Sequence, residues 1–179
     1  ISLMDLEEYS KKIFSGLIFS LGGITEDVAK ISISELDKVV SNNEKLPERM
    51  YDSIVEIFQN NKKDDLVILA LYSTLNILLS KNYMKISSSL TYLDKIQKFI
   101  VTENFESNNI HKVLICPDIY YNILLFEKED VFKCHFRAMK SLLFLMAHKY
   151  PVVRKKAADR LYLYLLSIES PEEIDLDDD

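Results

Sequence analysis

The most reactive side chains in this sequence belong to three histidines, His111, His135 and His148, and two cysteines, Cys116 and Cys134. The histidines share no spacing that a helix or a tight turn would bring to one metal ion. Cys134 and His135 are sequence neighbours, but adjacent residues of a helix point apart, which keeps the imidazole from acting as base to the thiol. The cysteines form no Cys-x-x-Cys pair and read as two free thiols, in keeping with a reducing, cytoplasmic setting. Gly16 and the Gly22-Gly23 pair lack the Gly-Lys-Ser/Thr that would complete a phosphate loop. These residues predict no catalytic group, no cofactor and no metal ligand, so the chain reads as a binding protein and not as an enzyme.

The best candidate for an interaction is a basic set, Lys149, Arg154, Lys155, Lys156 and Arg160. Arg154 is expected to pack its stem beside an apolar stripe and to pair its head with an acid of a neighbouring repeat. Lys155 and Lys156 are freer, and suit an acidic protein partner. The bland alternative is a solvated helix face with one structural arginine. Aromatic residues do not interleave with these bases, which argues against nucleic acid. Tyr162, Leu163 and Leu166 leave the same segment apolar on several sides. That predicts either a covering segment from the C-terminal tail or an exposed patch that meets a partner.

The elements that must position these groups run from Phe132 to Ile168, as one helix, a tight turn and a second helix. Pro151 suits the first turn of the second helix, where its missing N–H is not needed. Val153, Ala157, Leu161 and Leu165 then recur every four residues on one face, and the small Ala157 and Ala158 allow another helix to come close. Glycine and proline are scarce, at three and four residues among 179, which favours long helices over many short strands.

The same pattern extends upstream. A helix is predicted from Asp5 to about Leu21, stopped by Gly22-Gly23 through the left-handed conformation that glycine adopts at helix ends. Thr25 is placed to cap a second helix, reaching about Val40 and burying Val28, Ile31, Leu36 and Val39. Pro47 opens a third. Asp64 or Asp65 caps a fourth, Leu66 to about Leu79, that is apolar nearly all round and so buried between neighbours. A fifth runs from about Ser88 to Val101. A sixth begins near Asn108, where Cys116-Pro117 predicts a kink or break before Ile119 to Phe126 resumes. The fold class is all-α, a HEAT/armadillo-like α-solenoid of about four antiparallel helix pairs spanning residues 1–169.

Charge is unevenly placed. Seven of the 28 acids lie between Glu169 and Asp179, where there is no base, and the remainder has 22 bases against 21 acids. Residues 170–179 read as a disordered acidic tail. The nearly neutral body gives no bias toward nucleic acid or an anionic membrane. The longest apolar run, Leu66 to Leu79, contains Ser73, Thr74 and Asn76 and is too short to span a bilayer. The first residue is Ile1, which suggests a section of a longer protein.

Two segments go beyond a generic helical repeat. One is Gly16-Leu17-Ile18-Phe19-Ser20-Leu21-Gly22-Gly23-Ile24-Thr25-Glu26. The other is His148-Lys149-Tyr150-Pro151-Val152-Val153-Arg154-Lys155-Lys156-Ala157-Ala158, with Leu161-Tyr162 and Leu165-Leu166 downstream. In this order and separation they resemble the C-terminal domain of the tubulin-folding cofactor D family, over most of residues 1–170. The acidic sequence after Glu169 departs from that family's helical continuation. The resemblance implies the final section of a large cytosolic, cytoskeleton-associated protein of HEAT and armadillo repeats. It implies a chaperone that holds β-tubulin while αβ-tubulin heterodimers are assembled or taken apart, together with tubulin-folding cofactors E and C and an Arf-like small GTPase. It carries over no catalytic residue. The alternative expectation is a generic HEAT adaptor in transport or signalling.

Overall fold

A computed structural model describes residues 3–23, 26–41, 46–83, 89–105, 107–127 and 130–169. These form eight α-helices, with no strand among the described residues: α1 (Leu3–Leu21), α2 (Glu26–Ser41), α3 (Leu46–Asn60), α4 (Asp65–Ser80), α5 (Ser89–Asn104), α6 (Ile110–Leu124), α7 (Phe132–Met146) and α8 (Pro151–Glu169). Thr25 and the tail 170–179 lie outside the described residues. The molecule is all-α, in an arrangement compatible with a solenoid. The helices α1, α3, α5 and α7 touch in succession, as do α4, α6 and α8.

The regularity fails at α2. Among the described residues it packs beside α1 and α3 and not along α4, whose C-cap residue Lys81 pairs with Asp37 at 3.4 Å, and α1 packs against α4 instead. The burial of α2 differs correspondingly from the sequence expectation. Val28 and Ile31 are exposed, while Leu36 is buried and Ile33 packs beside it. The helix carries apolar residues on two faces, and the face with Leu36 is the one covered.

The glycine pair after α1 also has a different cause from the one predicted. Neither Gly22 nor Gly23 has a positive φ. A Cβ on Gly22 would run into the Ala70 carbonyl group and lie 2.8 Å from the Thr74 hydroxyl. Gly22 is therefore required by the close approach of α1 to α4, and not by a left-handed turn. The Thr74 hydroxyl strengthens the same contact by donating to the Ile18 carbonyl at 2.5 Å. Among the described residues the left-handed positions are Lys63, Asn82 and Asp130, each in a turn.

The helix α4 is buried along most of its length, with Ile68, Leu71, Tyr72, Leu75 and Leu78 inaccessible, as its all-round apolar sequence requires. Asp64 is its cap, accepting hydrogen bonds from the N–H groups of Leu66 and Val67. Asp65 has another role: it accepts from the Lys112 ammonium at 2.6 Å and from the Asn109 amide at 3.1 Å. Lys112 is almost wholly buried and also donates to the Glu103 carbonyl at 3.2 Å. That ammonium beside Asp65 holds its carboxyl below the usual carboxylate range. Lys63 completes the junction by donating from its ammonium to the Thr102, Glu103 and Phe105 carbonyls at the end of α5. A cation at that end suits the negative pole of the helix dipole.

Of the kink or break expected at Cys116-Pro117, the break does not occur, since α6 is continuous through Pro117. The ring removes the N–H that would bond to the Val113 carbonyl. Cys116, Pro117, Ile119 and Tyr120 are all buried, and packing of α6 against α4, α7 and α8 carries the helix across the missing bond.

Candidate protein-interaction surface

The basic set is built on α8 and the turn before it. Proline at the first position sets the entry, and Val153 and Ala157 are then fully buried where α8 packs on α6 and α7. The apolar stripe does not continue as predicted. Leu161 is only partly buried and Leu165 is exposed, together with Tyr162, Leu163 and Leu166. The far half of α8 extends past the neighbours that cover its first turns.

This rotation divides the five bases into two groups. Lys156 and Arg160 reach back to Asp118 on α6, with contacts of 2.6 Å to each of its carboxylate oxygens. The Arg160 guanidinium also sits 5.5 Å from the centre of the Tyr121 ring, in cation–π range. Lys156, expected to be freer, is thus committed to a structural ion pair. Such partly exposed pairs contribute about 0–1 kcal/mol each, so they fix the seat of α8 on α6 more than they stabilise the whole.

The other bases face solvent. Arg154, expected to pair with an acid of a neighbouring repeat, donates instead to the His148 and Lys149 carbonyls at 3.0 and 3.2 Å and ties down its own turn. The repeat-to-repeat role falls to Arg160, because Val153 takes the inward direction and leaves Arg154 on the rim. Lys149 donates to the Asn108 side chain at the α5–α6 turn and lies over the Tyr150 ring. Lys155 is exposed, with no ion pair among the described residues. Lys149, Arg154 and Lys155 therefore form the accessible cationic edge, with Tyr162 further along α8.

Burial governs the titratable groups whose types are suited to chemistry. The Cys116 thiol is pushed up to about 12 by burial, despite the Asn104 amide that donates to its sulfur. Burial also raises Cys134. Both thiols stay protonated, which removes the nucleophilic form. His135, whose Nε2 lies 2.9 Å from the Phe126 carbonyl, and His148, whose Nδ1 accepts from the Tyr150 N–H, are held below the usual imidazole range, chiefly by burial. Among the described residues no three His, Cys, Asp or Glu side chains are grouped to hold a metal ion. No helix among them is long and apolar enough to cross a membrane.

Sequence reasoning found the bases but not their acid. Asp118 lies in a segment read as an interruption, and its signal was the spacing of Lys156 and Arg160, one helical turn apart and able to share one carboxylate.

The family model described as "Tubulin folding cofactor D C terminal" matches residues 1–112, more than half of the chain. The chain belongs to this family. No solved structure matches it. The match takes in α1 to α5 and the start of α6, including the Gly22-Gly23 element. The Pro151–Arg154 element and the basic set lie beyond it. Membership supports a role of the general tubulin-cofactor, chaperone type.

Proposed function

We infer that this section is a non-enzymatic scaffold that binds β-tubulin, alone or in the αβ heterodimer, during assembly and disassembly of the heterodimer in the cytoplasm. Its co-workers on this reading are tubulin-folding cofactors E and C and an Arf-like small GTPase. Residues 1–169 act as one helical-repeat domain, and 170–179 as an acidic tail. The family match over residues 1–112 carries the reading. The all-helical architecture supports it, because layered helices present extended surfaces suited to holding a protein.

Within this reading the cationic edge of Lys149, Arg154 and Lys155 meets acidic tubulin, while Lys156 and Arg160 hold α8 in place. The test is a pull-down with purified αβ-tubulin at two salt concentrations. Lys149→Glu with Lys155→Glu should weaken capture by roughly tenfold at low salt and much less at high salt, since exposed charge contacts are screened. Capture by the unaltered protein that is indifferent to both salt and substitution removes the edge from the interface. No capture at all points to a helical adaptor for another protein.

A further inference from the structure

The helix α7 carries a second pattern, independent of its inward face. Phe132, Phe136, Met139, Leu143 and Met146 follow one another in alternating steps of four and three residues. That is the a/d seam of a two-stranded coiled coil, whose period of 3.5 keeps one stripe facing a partner helix. The inward face is already satisfied by others, since Cys134, Ala138 and Leu142 are buried where α7 meets α5, α6 and α8. Most of the seam looks outward: Phe132 is 81% exposed, Phe136 60% and Leu143 53%, with Met146 also exposed, while Met139 at its centre is half-buried and packs in part against the core. No described element covers Phe132, Phe136, Leu143 or Met146.

Charge selects the occupant. With Phe136 and Leu143 at a, Lys133 and Lys140 both fall at e, where coiled coils place the charges that choose a partner. Both lysines are exposed. The helix carries Lys133, Arg137 and Lys140 and no acid at all, and Arg137 is already paired with Asp94 on α5. A second copy of α7 would bring no carboxylate in either orientation, and antiparallel it would set lysine against lysine. An anionic bilayer is a poor match, because two exposed lysines give only about 1 kcal/mol each toward such a surface and stable anchoring needs several. Two lysines seven residues apart do match two acids on a facing helix.

We propose that α7 docks a helix of another protein that bears an apolar a/d seam flanked by glutamate or aspartate. This surface is separate from the cationic edge on α8 and lies outside the residues that match the family. It takes a partner of helical form, whether or not that partner is tubulin.

The experiment uses the full chain and two labelled synthetic 21-residue peptides, one with leucine at a and d and glutamate at e and g, the other with lysine at e and g. Fluorescence anisotropy should show saturable binding of the glutamate peptide below about 100 μM and at least roughly tenfold weaker binding of the lysine peptide. Lys133→Glu with Lys140→Glu should reverse that preference, and Phe136→Ser should abolish binding of both peptides with an unchanged circular dichroism spectrum. These positions are exposed, so the variants should fold. Equal affinity for the two peptides, or none for either, overturns the proposal. So does a dimer by ultracentrifugation that Phe136→Ser dissolves, because the occupant is then a second copy. Stronger peptide binding after removal of residues 170–179 would make the chain's own acidic segment the occupant, and retention on phosphatidylserine vesicles that Phe136→Ser abolishes would make it a membrane.

Discussion

Gly16 and Gly22 belong to the same sequence element and answer to different constraints. Nothing lies within 4 Å of a Cβ built on Gly16, which is exposed within α1. Gly16→Ala should therefore stabilise the protein by about 0.5–1 kcal/mol, through helix propensity and a less disordered unfolded chain. Gly22→Ala should destabilise it by about 1–3 kcal/mol, because the methyl must displace the Ala70 backbone or push α1 off α4. Urea midpoints shifted in opposite directions would confirm both, and a neutral Gly22→Ala would show that the close approach relaxes freely. Sequence inspection singled out Gly22 as a helix stop. The position was right and the reason was not, because a glycine that admits a neighbouring backbone has the same letter as one that turns the chain.

Among the elements, α8 shows best how far periodicity carries. Its four-residue stripe is buried at Val153 and Ala157, half-covered at Leu161 and exposed at Leu165. Substitution costs should fall along it in the same order. Ala157→Leu should cost about 1–3 kcal/mol by overpacking. Leu161→Ala should cost about 1–2 kcal/mol, less than a fully buried leucine. Leu165→Ala should stay within about 0.5 kcal/mol. Urea unfolding of the three variants checks the gradient, and a large loss at Leu165 would mean that the far end of α8 is covered in solution. Helix existence and spacing were legible because local patterning decides them, as at α4, whose all-round apolar sequence announced its burial. What the sequence did not disclose depends on which helices meet. The rotation of α2, the survival of α6 through Pro117 and the use of Asp118 as anchor for α8 all follow from tertiary neighbours. So does the junction of Lys63, Asp65, Glu103 and Lys112, whose members come from three separate stretches of chain.

For the whole molecule, pH acts through the histidines that burial keeps neutral. His135 and His148 both lie below the ordinary value of 6.5 in the folded chain. The unfolded chain therefore takes up protons first as pH falls, and the stability these groups contribute is present above about pH 6.5 and lost below it. Urea midpoints should hold steady near neutral pH and fall between about pH 7 and pH 5, and His135→Gln with His148→Gln should flatten that fall. An unchanged slope would show that carboxylates alone set it. The irregular stacking at the N-terminal end has a different consequence. Because α1 and not α2 presses on α4, the contact of Gly22 with Ala70 and the Thr74 hydrogen bond hold α1 to the body without help from α2. The helix α2, anchored through Leu36, packed beside two helices and tied to the end of α4 by the exposed Asp37–Lys81 pair, can then open as a separate cooperative unit while the remainder stays folded. Its amide hydrogens should exchange with solvent well before those of α4 in a mass-spectrometric time course, and equal protection of the two helices would show that they unfold together.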